Sequence, residues 1–374
     1  MYSVLAYGRM AADGIRMNAY ARAIAQAVRP GSIVVDLGSG PGVMSLLALR
    51  AGARRVHAID TNPAVWLARD LAAENGFAGR LEVHHGSSFD VTLPEKGDVV
   101  VADLRGSSPL YERNLAAVAD ARSRLLAPGG ALIPARDRLF VALVEADLHR
   151  RDLELGWSGI EQHGFVASAA RTATVNSIYS DADAPLRAAD LLSEPRVWHE
   201  VEYGAPSERT VTATVQLPVV RAGRAHALAM WFEATLADGI RYTNAPGDQL
   251  VYKRTLLPFP EPTEVAEGAV LHVTIRADVV GDQWAWDTQL AGGPRVRQAT
   301  FLGVPTSQEA LLKESLSATP ARAPAGDRAA RILGLMDGTR SVREIADAIG
   351  KVEPAARPDD VLDDVKSCVR RYGR

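Results

Sequence analysis

The 374-residue chain is 47% hydrophobic and 23% charged, an ordinary globular composition, and its length predicts two or three domains. A net charge of −3 excludes a general attraction to nucleic acid or anionic membranes, and a single cysteine, Cys368, excludes an internal disulfide and a cysteine-based zinc site. No charged-then-apolar signal pattern opens the chain and no apolar run reaches about 18 residues, so a cytoplasmic, non-membrane protein is expected.

Residues 1–147 are expected to form the first domain. Met17, Tyr20, Ala21, Ile24 and Val28 make an apolar stripe on a helix that begins near Arg16. Arg16 is either a solvated charge or a cation for a ligand carboxylate. Ile33–Val35 reads as a buried parallel strand, followed by Asp36, Leu37 and the turn Gly38-Ser39-Gly40-Pro41-Gly42. Val43, Leu46 and Leu47 then fall at helical spacing, and strand, turn and helix predict the first unit of a doubly wound sheet. A second strand, Arg55–Ile59, ends in Asp60, whose carboxylate can take both hydroxyls of a ribose. Leu81–His85 is a third strand, followed by Gly86-Ser87-Ser88-Phe89-Asp90, where an adenine would lie. Asp98–Ala102 is a fourth strand, with Asp103 at its carboxyl end. A helix over Leu115–Leu126 ends at Pro128-Gly129-Gly130, and Ala131–Pro134 and Leu139–Val144 are further strands. The GSGPG turn, set just after Asp36, resembles that of class I S-adenosylmethionine (SAM) methyltransferases more than a nicotinamide fingerprint. The resemblance implies SAM as cofactor, held by Arg16, Asp36, Gly38, Gly40, Gly42, Asp60 and Ser88.

The pattern changes near residue 150. Residues 170–195 read as irregular, and from about 197 to 302 only strands are expected: Val211–Val215, Arg224–Phe232, Leu250–Leu257, Val270–Ala277 and Gln283–Leu290. Residues 148–316 therefore predict an antiparallel β-barrel or sandwich. Residues 317–374 are a linker and a small helical module, in which Ser341 and Glu344 form a capping box. His57, His84 and His85 read as structural, and His226 and His272 lie on barrel strands. No metal is expected, because no acid or histidine cluster has ligand spacing along the chain.

Asp103 and Glu112 are nine residues apart in ADLRGSSPLYE. A loop that folds back would bring both carboxylates to one mouth, where they could hold a cationic nitrogen and accept its proton. Glu112 also suits a helix start, where the dipole favours an acid. Over roughly residues 5–303 the chain resembles the protein arginine methyltransferases. MAADGIR (Met10–Arg16), VVDLGSGPG, ADLRGSSPLYE, ALIPARDRLFVALVEA (Ala131–Ala146) and QATFLGVP (Gln298–Pro305) carry the resemblance. It implies that Arg16 binds the SAM carboxylate, Asp60 the ribose, and Asp103 and Glu112 the substrate cation, as catalytic residues. Aspartate stands at 103 where that family has glutamate, and Leu104 and Arg105 replace its Trp and Met. Its Thr-His-Trp segment is missing near 245–256, where Tyr252 is the nearest aromatic residue. The segment 170–195 occupies the place of the family's dimerisation arm, so a homodimer is expected.

AARILGLMDGTRSVREIADAI (Ala329–Ile349) resembles the helical half of PqqD-like domains, of winged-helix type, which bind leader peptides of ribosomally made, modified peptides. A helical cap on the barrel is the alternative, and a DNA-binding helix-turn-helix is disfavoured by the near balance of charges after residue 320. The parts together imply a SAM-dependent N-methyltransferase whose partner is a leader-bearing peptide. Its target would be a terminal amine of the daptide type or an arginine. A small-molecule N- or O-methyltransferase and a noncatalytic SAM- or peptide-binding subunit are the competing readings.

Overall fold

Ile33, Val34 and Val35 are buried on both faces of their strand, the condition of a central strand in a parallel sheet. The computed structural model describes residues 2–111, 113–205, 208–248 and 250–373, and divides into two compact units, Met1–Pro305 and Thr306–Arg374. The first unit begins with helices α1 (Val4–Ala11) and α2 (Gly14–Ala27). Then alternate β1 (Ile33–Leu37), α3 (Val43–Arg50), β2 (Arg55–Asp60), α4 (Trp66–Glu74), β3 (Leu81–His85), β4 (Gly97–Ala102), α5 (Asn114–Arg124) and β5 (Leu126–Ile133). The strands form one parallel sheet in the order β3-β2-β1-β4-β5. Val34 pairs with Val56 on one side and Val99 on the other, so the strand order reverses beside β1. A reversal of this kind opens a crevice at the carboxyl ends of the strands.

The first unit continues with β6 (Arg136–Val144), α6 (Asp147–Glu161), α7 (Ser168–Val175), β7 (Tyr179–Ser180), β8 (Arg196–Glu202), β9 (Thr210–Pro218), β10 (Gly223–Ala237), β11 (Ile240–Thr243), β12 (Thr255–Val265), β13 (Val270–Asp278), β14 (Gln283–Leu290) and β15 (Arg295–Ala299). These strands make two antiparallel sheets, β7-β12-β10-β6-β8 with β11 beside β10, and β15-β14-β13-β9. Apolar residues alternate along β13, where Leu271, Val273, Ile275 and Ala277 turn inward, and each of the three larger side chains contributes about 1.5–3 kcal/mol when fully buried.

Several expected positions shift. The strand expected at 139–144 lies not in the parallel sheet but along β10, with Val144 opposite Ala227. The passage from one sheet to the next thus falls at about residue 135, not at 147. The helix expected to reach Leu126 stops at Arg124, because Leu126 already pairs with Gly97 in the sheet. Residues 170–195 are less irregular than expected: α7 extends to Val175 and Tyr179 pairs with Leu256 of β12.

The second unit holds α8 (Gln308–Glu314), α9 (Pro324–Leu335), α10 (Val342–Val352) and α11 (Pro358–Tyr372). Ile332, Ile345, Ile349, Val361, Val365 and Cys368 form its own apolar core. Ser341 and Glu344 cap α10 reciprocally, as the sequence implies. Among the described residues no strand accompanies these helices.

Candidate functional site

The crevice at the carboxyl ends of β1 and β4 is a cavity of about 920 Å³. Arg16, Gly38, Asp60, Ser88 and Asp103 line it, together with Tyr252. The turn after β1 is tied to β2: Gly38 and Ser39 donate backbone N–H groups to the Ile59 carbonyl, at 2.8 and 3.1 Å. Gly40 donates its N–H to Asp60 Oδ2 at 2.7 Å, and Asn62 donates to Asp60 Oδ1 at 2.7 Å. Each carboxylate oxygen has a second lone pair, so Asp60 can still accept two hydroxyls. Gly40 has φ +51°, and a Cβ there would lie 2.5 Å from the ring of Tyr7 on α1. Glycine is required for both reasons.

Asp36, Gly40 and Gly42 do not line the cavity, a difference from the expectation that all three touch the ligand. Asp36 is buried beneath the turn and accepts a hydrogen bond from Ser45 Oγ at 2.6 Å, which fixes the start of α3. Burial pushes its carboxyl up to about 7, against the opposing effect of the Ser45 bonds. Gly42 opens α3 in a left-handed conformation with φ 83°.

Arg16 reaches the cavity from α2, whose start is capped by Asp13. The same Asp13 accepts the backbone N–H of Val251 at 2.9 Å, which brings Tyr252 to the wall. Arg16 forms an ion pair with Asp103 Oδ2, and Tyr252 donates to that same oxygen at 3.1 Å. Burial opposes the charge of Arg16, but Asp103 holds the guanidinium above the ordinary arginine range. On the other side of Asp103, Arg105 Nη1 stands 3.6 Å from Oδ1.

Arg105 is 2% exposed and is held through its Nε and Nη1. Its Nε donates to Asp137 Oδ2 at 3.0 Å, and Nη1 donates to the hydroxyls of Tyr20, at 3.3 Å, and Tyr242. Tyr203 donates to the same Asp137 oxygen at 2.8 Å, and the guanidinium lies 5.3 Å from the ring centre of Phe232. Asp103 is therefore a carboxylate between two internal guanidinium groups, with Oδ2 taken by Arg16 and Tyr252 and the buried Oδ1 left without a hydrogen bond. Glu112 lies outside the described residues; its neighbours Tyr111 and Arg113 line the cavity.

Sequence reasoning did not find Tyr20, Tyr242, Tyr203 or Asp137. Tyr20 appears in the sequence only as part of an apolar stripe, and nothing local marks its hydroxyl as a partner of Arg105. His226 accepts the backbone N–H of Ala146, and among the described residues neither it nor His272 lines the cavity. His57 and His84 come within 3.1 Å of each other, away from the cavity.

A family model described as ribosomal protein L11 methyltransferase (PrmA) matches residues 19–134. A probable protein arginine N-methyltransferase 6.2 of Oryza sativa subsp. indica is 30% identical over 240 residues, 62% of this chain and 60% of the relative. The chain thus spans about three fifths of that curated relative's length. Protein arginine N-methyltransferase 6 of Danio rerio is 27% identical over 287 residues, 75% of this chain and 79% of the relative. The crystal structure of Arabidopsis thaliana protein arginine methyltransferase 10 superposes with a TM-score of 0.69 at 22% identity, over 79% of this chain and 97% of that one. A Trypanosoma brucei PRMT1 enzyme–prozyme heterotetrameric complex with AdoHcy gives a TM-score of 0.70 at 19% identity, over 78% and 96%. The chain is protein arginine methyltransferase-like in sequence, and its parallel sheet with appended antiparallel sheets is the fold of those structures. Among the described residues no helix is long and apolar enough to cross a membrane.

Proposed function

We propose that the protein is a SAM-dependent N-methyltransferase that acts on a ribosomally made peptide, with a terminal amine as the favoured nitrogen. The cavity residues fit the cofactor. Asp60 would take the ribose, Ser88 the adenine end and Arg16 the carboxylate, and all three line the cavity. When bound, SAM supplies a methyl group already activated on a sulfonium. What remains for the protein is to align a nitrogen lone pair with that methyl group and to take up one proton.

The observation that carries the choice of nitrogen is the setting of Asp103 between Arg16 and Arg105. Arg16 and Arg105 are matched by Asp103 and Asp137, so these four groups leave no surplus negative charge to hold a substrate cation. An α-amine, with an ordinary pKa of about 7.7–8.0, gives up its proton readily near neutrality, whereas a guanidinium, at about 12.5 or above, does not. The site therefore suits a substrate that arrives neutral or loses its proton on entry. Glu112, nine residues after Asp103 in the sequence, is the proposed proton acceptor. Asp103 keeps Arg16 and Tyr252 in position. The names of the curated relatives favour arginine as a second reading.

The helical unit 306–374 is proposed to bind the leader of the same peptide, and its covalent attachment would raise the concentration of the core peptide at the enzyme. The helix α6 exposes Leu148, Leu155 and Ile160, and Phe165 follows it; we propose these side chains, which precede the 170–195 segment expected to dimerise, as part of a homodimer contact. The test is transfer of labelled methyl from SAM to three substrate sets: arginine-rich peptides, peptides with a free terminal amine, and small amines. Full-length protein and residues 1–305 are compared, with fragmentation mass spectrometry to place the methyl group. Label on a peptide amine, reduced by truncation, supports the proposal. Label on arginine alone supports the second reading, and label on small amines regardless of truncation overturns the peptide substrate.

A further inference from the structure

Parallel pairing of β2 with β3 sets His57 opposite Glu82 and Ile59 opposite His84. Side chains alternate along each strand, so His57, Glu82 and His84 share one face of the sheet. His57 Nδ1 lies 3.1 Å from His84 Nε2 and 3.5 Å from Glu82 Oε2, and His84 Nε2 lies 3.7 Å from Glu82 Oε1. One ligand atom from each residue falls within 4.8 Å of the other two. Two donors at about 2.0–2.1 Å from a tetrahedral zinc ion stand about 3.3–3.4 Å apart. The three groups thus already lie close to the spacing that one ion would impose.

We infer that His57 Nδ1, His84 Nε2 and the Glu82 carboxylate form a binding site for a zinc-class divalent ion, with a further position open to water. Two imidazoles and one carboxylate are a donor set that suits zinc, and calcium and magnesium prefer oxygen alone. The site has a route to solvent: the His57 side chain is fully buried, but those of His84 and Glu82 are 17% and 45% exposed. Arg55 Nη1 stands 3.6 Å from Glu82 Oε2, which leaves Oε1 the freer oxygen for the ion. Hydrogen bonding within the cluster leaves the carboxylate out. The only bond there joins the two imidazoles, and His57 Nε2 is buried without a partner. Beyond the cluster, β2 leads to Asp60 and β3 to Ser88, so an ion here would brace the edge strand β3 against β2, both of which lead to cavity residues.

The test uses the full-length protein and metal alone. Zinc is titrated in competition with a chromophoric chelator, cobalt(II) is followed by visible absorption, and melting is recorded with and without zinc. The expected result is one tight equivalent, an intense four-coordinate cobalt band, and a melting temperature that rises with free zinc. Glu82→Gln and His84→Gln each weaken binding at least tenfold and remove the band, while His272→Gln, on β13, changes neither. Far-UV circular dichroism confirms that the variants fold, and Glu82→Gln keeps the shape of a half-exposed side chain. Absence of zinc uptake, or equal uptake by wild type and both site variants, overturns the inference. Neither result depends on methyl transfer, so the proposed function stands or falls separately.

Discussion

Arg105 is a cation held inside the wall of the site, and its energetic cost is offset by Asp137, Tyr20 and Tyr242. Burial alone would push the Asp137 carboxyl up, and Arg105 opposes that effect. Arg105→Met leaves Asp137 buried without its charge partner and is expected to cost about 3–5 kcal/mol in denaturant unfolding. The double variant with Asp137→Asn should recover much of that loss, because no uncompensated charge remains. Asp36 gives a second expectation, on pH. Its folded-state pKa, about 7, lies above the ordinary carboxylate value, so the native state binds the extra proton. Stability from this group is present at low pH and is lost as pH rises from about 4 to about 7, with a slope of at most about 1.4 kcal/mol per pH unit. Asp36→Asn stays neutral, so its stability advantage over wild type should grow through that window and level off above it. Melting curves taken at intervals across that range check this. Asp36 was legible in the sequence as a residue of the turn, but its role was not. Burial under α3, rather than contact with a ligand, follows from how the helix folds over the strand. Arg105 was legible as an anomaly of charge, but its partner Asp137 lies 32 residues further on, in another sheet.

At the level of elements, the glycine turn is the part most constrained by close packing. A Cβ on Gly42 would come within 2.5 Å of Ala68 Cβ on α4, at φ +83°. Gly42→Ala is expected to destabilise the protein by about 1–3 kcal/mol in denaturant unfolding. Adding Ala68→Gly should relieve the contact but not the backbone strain, so recovery is partial. The strand–turn–helix at β1 was readable because each of its signals is local: an apolar run, glycines, then helical spacing. The placement of β6 was not. A run such as Leu139–Val144 looks the same in either sheet, and its long pairing with β10 decides the matter. The histidine–glutamate cluster was invisible for a related reason. His57 and His84 are 27 residues apart, and strand register alone joins them.

At the level of the whole molecule, the outward apolar side chains of α6 and of the segment after it bear on assembly. Leu155 and Phe165 are 64% and 67% exposed. Leu155→Glu combined with Phe165→Glu is expected to convert a dimer to a monomer, read as a halved mass by light scattering with an unchanged melting temperature. An unchanged mass would mean that these side chains do not form the contact. The Arg105–Asp137 pair also has a mechanical consequence. It rivets the loop after β4 to β6, so one sheet cannot rotate against the other without pulling opposite charges apart out of reach of water. The frame around the cavity is stiff, and the yielding part is α1, which has no buried residue and rests on the site through Tyr7. We expect bound SAM to leave as this short helix lifts, so amide exchange in Val4–Ala11 should slow when SAM is added.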